Sequence, residues 1–252
     1  MTIRYEINPP KLPEGEPFSN EDMKKLLDKL KIRVSELSKI FDGIHITDSV
    51  LGTKRISPIT TGEMIRNNQK NLKITISLRV RDKTISEIEK SVNNAIELGF
   101  EGILIVKGDK NPKNPEDSKL IPSQVVKHLK KLGMDNKIEL FLSLPTNPNF
   151  NKIQNKIDSK PAGFITQVVE SVDHVSNLVN GLKPHNFKLI PIILFPSDKN
   201  LKSAEFLNLD WSNYKENVLD FIKNIHNLTG DILITSPNDF NGVQRTLTKL
   251  VI

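Results

Sequence analysis

Cysteine is absent from the 252 residues, which excludes disulfides, thiolate metal sites and cysteine nucleophiles together. No apolar run approaches the roughly 18 residues that a membrane span needs, and the N-terminus lacks the apolar core of a secretory leader. A cytoplasmic protein with no membrane partner is the expectation. The phosphate-loop and dinucleotide patterns GxxxxGKS/T and GxGxxG and the zinc motif HExxH are missing, and His45, His128, His174, His185 and His226 fall at no metal-ligand spacing. No metal site is expected. Cationic runs are missing too: the formal net charge is +6, but Lys and Arg alternate with Asp and Glu along the chain. Without an arginine-rich stretch or an aromatic RNA-binding motif, this excess reads as a solvated basic surface or as steering of an anionic small molecule, with no nucleic-acid partner.

What is present is an ordinary globular composition, 37% hydrophobic and 26% charged. Apolar or alternating stretches with strand character occur at 3–7, 43–47, 73–80, 102–106, 138–144, 163–169, 188–194 and 231–235. Helix-period segments separate them at 21–41, 57–68, 85–98, 123–132, 150–159, 172–182 and 197–225, the last broken near Asp210, with one more after Pro237. Ile85, Ile88, Val92, Ala95 and Ile96 recur three or four apart, which lays one apolar stripe against a sheet, and Gly99 supplies the stop. Pro122 stands at a helix start, where its missing N–H costs little. Eight strand–helix units in about 250 residues predict an α/β fold, a single (β/α)8 barrel over 1–252, because a doubly wound sheet has fewer strands and a glycine-rich first turn.

In such a barrel, chemistry belongs at the C-terminal ends of the strands. Glu6 alternates with Tyr5 and Ile7, so it points away from them, toward the lumen, and Pro9-Pro10 ends the strand. A carboxylate buried there costs free energy unless it is paired or does chemistry. The competing reading is a solvated edge residue, and this segment taken alone favours it. Lys107-Gly108-Asp109 closes the fourth strand, and Gln167, flanked by Ile165 and Val168, reads as a buried amide that needs a partner or a ligand. For Gln167 the alternative is a bond to a neighbouring strand's backbone. For Arg79 and Arg81 it is salt bridging to Asp82 or Glu87. His45 can face either the lumen or the helices, the helix side being the commoner outcome. Phe206 can stack on a substrate ring, although helical spacing with Leu201 and Leu209 favours core.

The segments Tyr5-Glu6-Ile7-Asn8-Pro9-Pro10, Ile46-Thr47-Asp48-Ser49, Arg79-Val80-Arg81-Asp82, Val106-Lys107-Gly108-Asp109 and Ile165-Thr166-Gln167 occur in this order along nearly the whole chain. Together they resemble the 5,10-methylenetetrahydrofolate reductases. The resemblance implies a flavin-bearing barrel that reduces methylene-tetrahydrofolate, or a modified tetrahydropterin, to the methyl form in the one-carbon metabolism that feeds methionine synthesis, with NAD(P)H as electron donor. It implies that Glu6 is the general acid protonating a pterin-side nitrogen as the methylene bridge opens. It further implies that Asp109 lies between flavin and pterin, that Gln167 contacts the carrier, and that Thr47, Ser77, Lys107, Gly108, Asp109, Asn147 and Lys156 line the cofactor. FAD is the implied cofactor, with FMN or no bound flavin as alternatives. Where well-known bacterial members carry histidine, arginine, tyrosine and histidine, this chain has Ser77, Lys107, Leu144 and Asn147. Lys107 keeps a point charge there without the arginine fork. Two other classes stay open: a flavin-free pterin-binding barrel, acting as a deazaflavin- or nicotinamide-dependent reductase or a methyl transferase, and a non-catalytic subunit of a C1 complex. A homo-oligomer is a further expectation.

Overall fold

A computed structural model describes residues 2–13, 19–110 and 117–249. Eight parallel strands, β1 (Thr2–Ile7), β2 (Gly43–Ile46), β3 (Lys73–Arg79), β4 (Gly102–Val106), β5 (Glu139–Leu144), β6 (Gly163–Val168), β7 (Lys188–Leu194) and β8 (Asp231–Thr235), form a closed barrel. Each strand pairs with the next, and β8 returns to β1 through Ile3↔Ile232 and Tyr5↔Ile234. The (β/α)8 architecture expected from the alternation is present.

Period-2 alternation sorts each strand into two environments. Ile3, Tyr5 and Ile7 join the main core under the helices, so Thr2, Arg4 and Glu6 turn into the lumen. The lumen is divided. Leu104, Phe141, Ile165, Ile190 and Leu233, from β4 to β8, make a separate apolar cluster, whereas β1 to β3 contribute Arg4, Glu6, His45, Thr75, Ser77 and Arg79. At the N-terminal floor Arg4, only 2% exposed, meets Glu101 at 2.5 Å and Asp231 at 3.5 Å. Lys73 Nζ donates to Thr2 Oγ1 at 2.8 Å, and Lys188 pairs with Glu139.

The surrounding helices are α1 (Asn20–Leu37), α2 (Pro58–Asn68), α3 (Ile85–Glu97), α4 (Pro122–Lys131), α5 (Gln154–Ile157), α6 (Val172–Leu182), α7 (Leu201–Phe206), α8 (Val218–Thr229) and α9 (Phe240–Leu247). Thr84 and Glu87 form the capping box that starts α3, and Gly99 follows its end at φ +65°. Three helices depart from the sequence expectation. The first stops at Leu37, and turns carry the chain on to Phe41. The helix expected over 150–159 is a single turn, α5. The segment 197–225 divides into α7 and α8 around a non-helical stretch that buries Trp211 and Tyr214, a wider interruption than a break at Asp210. There the aromatic side chains serve the core from irregular backbone, and Tyr214 Oη donates to Leu194 O at 3.1 Å.

Candidate active site at the C-terminal mouth

Glu6 closes the lumen side of β1. Thr235 Oγ1, from the end of β8, donates to Glu6 Oε1 at 2.7 Å. Burial pushes the Glu6 carboxyl above its ordinary value, and the Thr235 bond offsets only part of that rise. The side chain is half-buried rather than sealed, so it still opens to the mouth. The solvated-edge reading is thereby replaced by a lumenal carboxyl under desolvation.

The loops after β2, β3 and β4 are tied together. Thr47 Oγ1 donates to Asn8 Oδ1 at 2.6 Å. Beyond it Ser49 and Leu51 both take left-handed backbone, at φ 46° and 56°, a conformation costly for side chains other than glycine. The Leu51 N–H donates to Asp109 Oδ2 at 2.8 Å. Arg79, 4% exposed, bonds Asp82 Oδ1 through Nε and the Asp109 carbonyl through Nη2, both at 3.1 Å. Arg81 donates to Gly108 O at 3.0 Å and to Asp117 at 2.7 Å. Pairing of Arg79 with Asp82 follows the sequence expectation, but Arg81 chooses Asp117, across the loop, over Asp82 or Glu87. Lys107 likewise pairs with Asp117 and donates to Leu120 O at 3.2 Å.

Two side chains sit differently from expectation. Gln167 is exposed, not buried. The pairing of β6 with β7 jumps from Ile165↔Ile190 to Val168↔Ile192, a bulge with one extra residue on β6. The Thr166 hydroxyl accepts the Ile192 N–H at 3.1 Å in place of a ladder carbonyl, which frees Gln167 to stand at the rim. Bulges re-aim side chains in this way beside binding sites. Phe206 is 67% exposed at the end of α7, so it is not core. Asn147 is exposed and borders a groove with Phe150, Glu170 and His174. The Lys156 ammonium reaches back to Ser143 O at 2.6 Å, and burial lowers its pKa. A further groove, lined by Phe41, Asp42 and Lys73, lies at the opposite, N-terminal end, remote from these groups.

His45 faces the lumen rather than the helices. Its Nδ1 lies 2.9 Å from Thr75 Oγ1, and its Nε2 lies 2.9 Å from Ser77 Oγ. Two hydroxyl partners let a neutral ring be fully satisfied in a desolvated lumen. Burial, helped by the nearby Arg4 charge, holds its pKa down to about 3. The unfolded chain therefore binds a proton that the folded chain refuses. The stability that neutral His45 provides is complete above the ordinary value of 6.5 and is lost as pH falls from there toward 3. Lowering the pH from about 7 to about 5 is expected to remove about 2 kcal/mol of the stability that His45 contributes in the wild type. Chemical denaturation of His45→Gln across that range checks this, and the variant should lose markedly less.

Arg79, Leu51 and Thr235 were not singled out as site residues from the sequence. Only Arg79 carried a signal, as a strand-end arginine. The other two act through a backbone N–H and a strand-end hydroxyl, which composition does not distinguish. Among the described residues no group of three or more His, Asp or Glu is placed to hold a metal, and no helix is long and apolar enough to cross a membrane.

A family model described as methylenetetrahydrofolate reductase matches residues 1–208. A search of curated proteins finds no significant match. Among solved structures, the GH18 chitinase ChiB from the chitin utilization locus of Flavobacterium johnsoniae aligns with a TM-score of 0.55 at 14% identity, over 99% of this chain and 94% of that one. The tryptophan synthase complex from Pyrococcus furiosus aligns with a TM-score of 0.56 at 10% identity, over 99% and 95%. At these identities the two structures share the fold alone.

Proposed function

The chain belongs to the methylenetetrahydrofolate reductase family, an oxidoreductase family, and from that premise we propose that it reduces the methylene bridge of methylene-tetrahydrofolate, or of a modified tetrahydropterin, to a methyl group. The observation that carries the reading is Glu6, a lumen-facing carboxyl whose hold on its proton is strengthened by burial yet which stays open to the mouth. In the proposed reaction Glu6 gives its proton to one bridge nitrogen as the carbon–nitrogen bond breaks. That bond's electron pair stays on the protonated nitrogen and leaves a cationic iminium on the other. Asp109, at the rim, supplies the negative charge that stabilises this cation. The Gln167 amide, turned outward by the β6 bulge, offers one donor and one acceptor edge to the carrier. Phe206 supplies an exposed aromatic face.

Membership implies a flavin, but the residues do not fit a firmly held FAD. The Thr47 hydroxyl is used on Asn8, Ser77 on His45, and Lys107 on Asp117 and Leu120. A diphosphate needs more positive charge than Lys156 alone provides. The reductant is therefore a diffusible hydride donor, with NAD(P)H first among the candidates, and the hydride adds to the iminium carbon to complete the methyl group.

Two measurements test this. Protein purified without added flavin is expected to show no flavin absorbance after desalting, whereas a yellow protein with stoichiometric FAD would overturn the diffusible-donor reading. Should FAD be retained, Lys107→Ala with Lys156→Ala should weaken it, because these are the two lysines at the cofactor positions. Incubation with methylene-tetrahydrofolate and NADH or NADPH should yield the methyl form in step with nicotinamide oxidation. Absence of conversion with every pterin and donor pair tried would remove the reductase assignment.

A further inference from the structure

We propose that Arg79 is a positioning residue that sets the Gly108-Asp109 turn, so that its fork, and not merely its charge, fixes where Asp109 stands. The inference rests on the role given to Asp109 above. Three observations support it. Arg79 Nη2 bonds the Asp109 carbonyl while Nε bonds Asp82, so one planar group serves two fixed acceptors at once. A lysine, with a single nitrogen, does not span them. Next, Gly108 lies directly over the Arg79 side chain: a Cβ there would stand 2.8 Å from Arg79 Cβ and 3.1 Å from Nε, and the residue has φ +83°. The glycine is required both by its conformation and by this close approach. Finally, the Arg79 backbone N–H donates to Asp48 Oδ2 at 3.1 Å, which fastens the loop whose Leu51 N–H holds the Asp109 carboxylate. Asp109 is thus gripped at its carbonyl by Arg79 and at its carboxylate by a loop that Arg79 also anchors.

The alternative is an ordinary ion pair between Arg79 and the 38% exposed Asp82, worth little to stability and nothing to rate. Arg79→Lys separates the two, since it keeps the charge and loses the fork. The first measurement is hydrogen exchange of the Leu51 amide and of residues 107–110. The second is conversion of methylene-tetrahydrofolate with a nicotinamide donor in Arg79→Lys, Asp109→Asn and the double variant. If Arg79 positions Asp109, exchange of the Leu51 amide should speed up by about tenfold or more as the clasp loosens. Turnover should fall about 10- to 100-fold with KM within about threefold, the scale of a sub-ångström to ångström misplacement. In the Asp109→Asn background the lysine substitution should add nothing further. Gly108→Ala, which forces the turn off Arg79, should reproduce both effects and serves if the lysine variant fails to fold. Unchanged Leu51 exchange in both variants, or rate losses that simply add in the double variant, would overturn the proposal. If the wild type converts no pterin, the reductase reading fails instead, and the exchange measurement alone decides whether Arg79 holds the turn.

Discussion

Glu6→Gln should lower the reductive step by a factor on the order of 10² to 10⁴, the usual contribution of a positioned acid, while carrier binding changes by no more than a few fold. The substitution keeps shape and the possibility of the Thr235 bond but removes the transferable proton. Single-turnover conversion of a methylene-tetrahydropterin, compared with equilibrium binding of the methyl product, separates the two effects. Equal rates would take Glu6 out of the mechanism. The same variant has an opposite signature in stability. The folded carboxyl titrates above its ordinary 4.5, so the stability of its neutral form is fully present below that value and is lost as pH rises through the raised one. Glutamine never ionises. Glu6→Gln is therefore expected to melt higher than the wild type near pH 8 and alike near pH 4, so the variant that damages the rate should protect the fold.

Arg4→Met should be the most destabilising substitution of a lumen residue. The guanidinium is almost sealed at the barrel floor between Glu101 and Asp231, which keep 30% and 20% of their side-chain surface in water. Removing one partner of a buried pair typically costs 3–5 kcal/mol because the other is left uncompensated. Here the two carboxylates can recover some hydration, so about 2–4 kcal/mol is expected from urea denaturation. Turnover per folded molecule should change little, because the floor and the mouth lie at opposite ends of the barrel. A midpoint shift under about 0.5 kcal/mol would place Arg4 with surface charges instead.

The barrel was legible because burial on both faces makes each strand a short apolar run between turn residues, as in Lys73–Arg79 and Gly102–Val106. For Glu6 the period-2 alternation gave the direction of the side chain, while the segment alone favoured a solvated edge residue and only the family resemblance singled it out. Gln167 was not legible, because the expectation of a buried amide assumed an unbroken ladder, and the bulge that exposes it depends on where β7 happens to pair. His45 escaped for a related reason. Which face a short strand turns inward is plain at β1, where tyrosine and isoleucine alternate with charge, but not at β2, where Ile44 and Ile46 flank a residue that fits either side. The single turn at α5 and the long interruption before α8 show helix-period stretches yielding to tertiary packing. Lys107 has the charge expected of a cofactor contact, yet its partner Asp117 lies ten residues on, in a loop with no period to read.

The bond between Glu6 and Thr235 joins residues 229 positions apart. The ribosome releases the first long before the second. Until β8 docks, β1 has no neighbour on that edge and the lumen beside Glu6 is unclosed. Docking of the last strand closes the lumen around Glu6 and brings it the Thr235 hydroxyl, whose bond tempers the rise that burial causes. The desolvated setting of Glu6 is thus complete only in the closed barrel, and a partly synthesised chain would carry the residue without that setting.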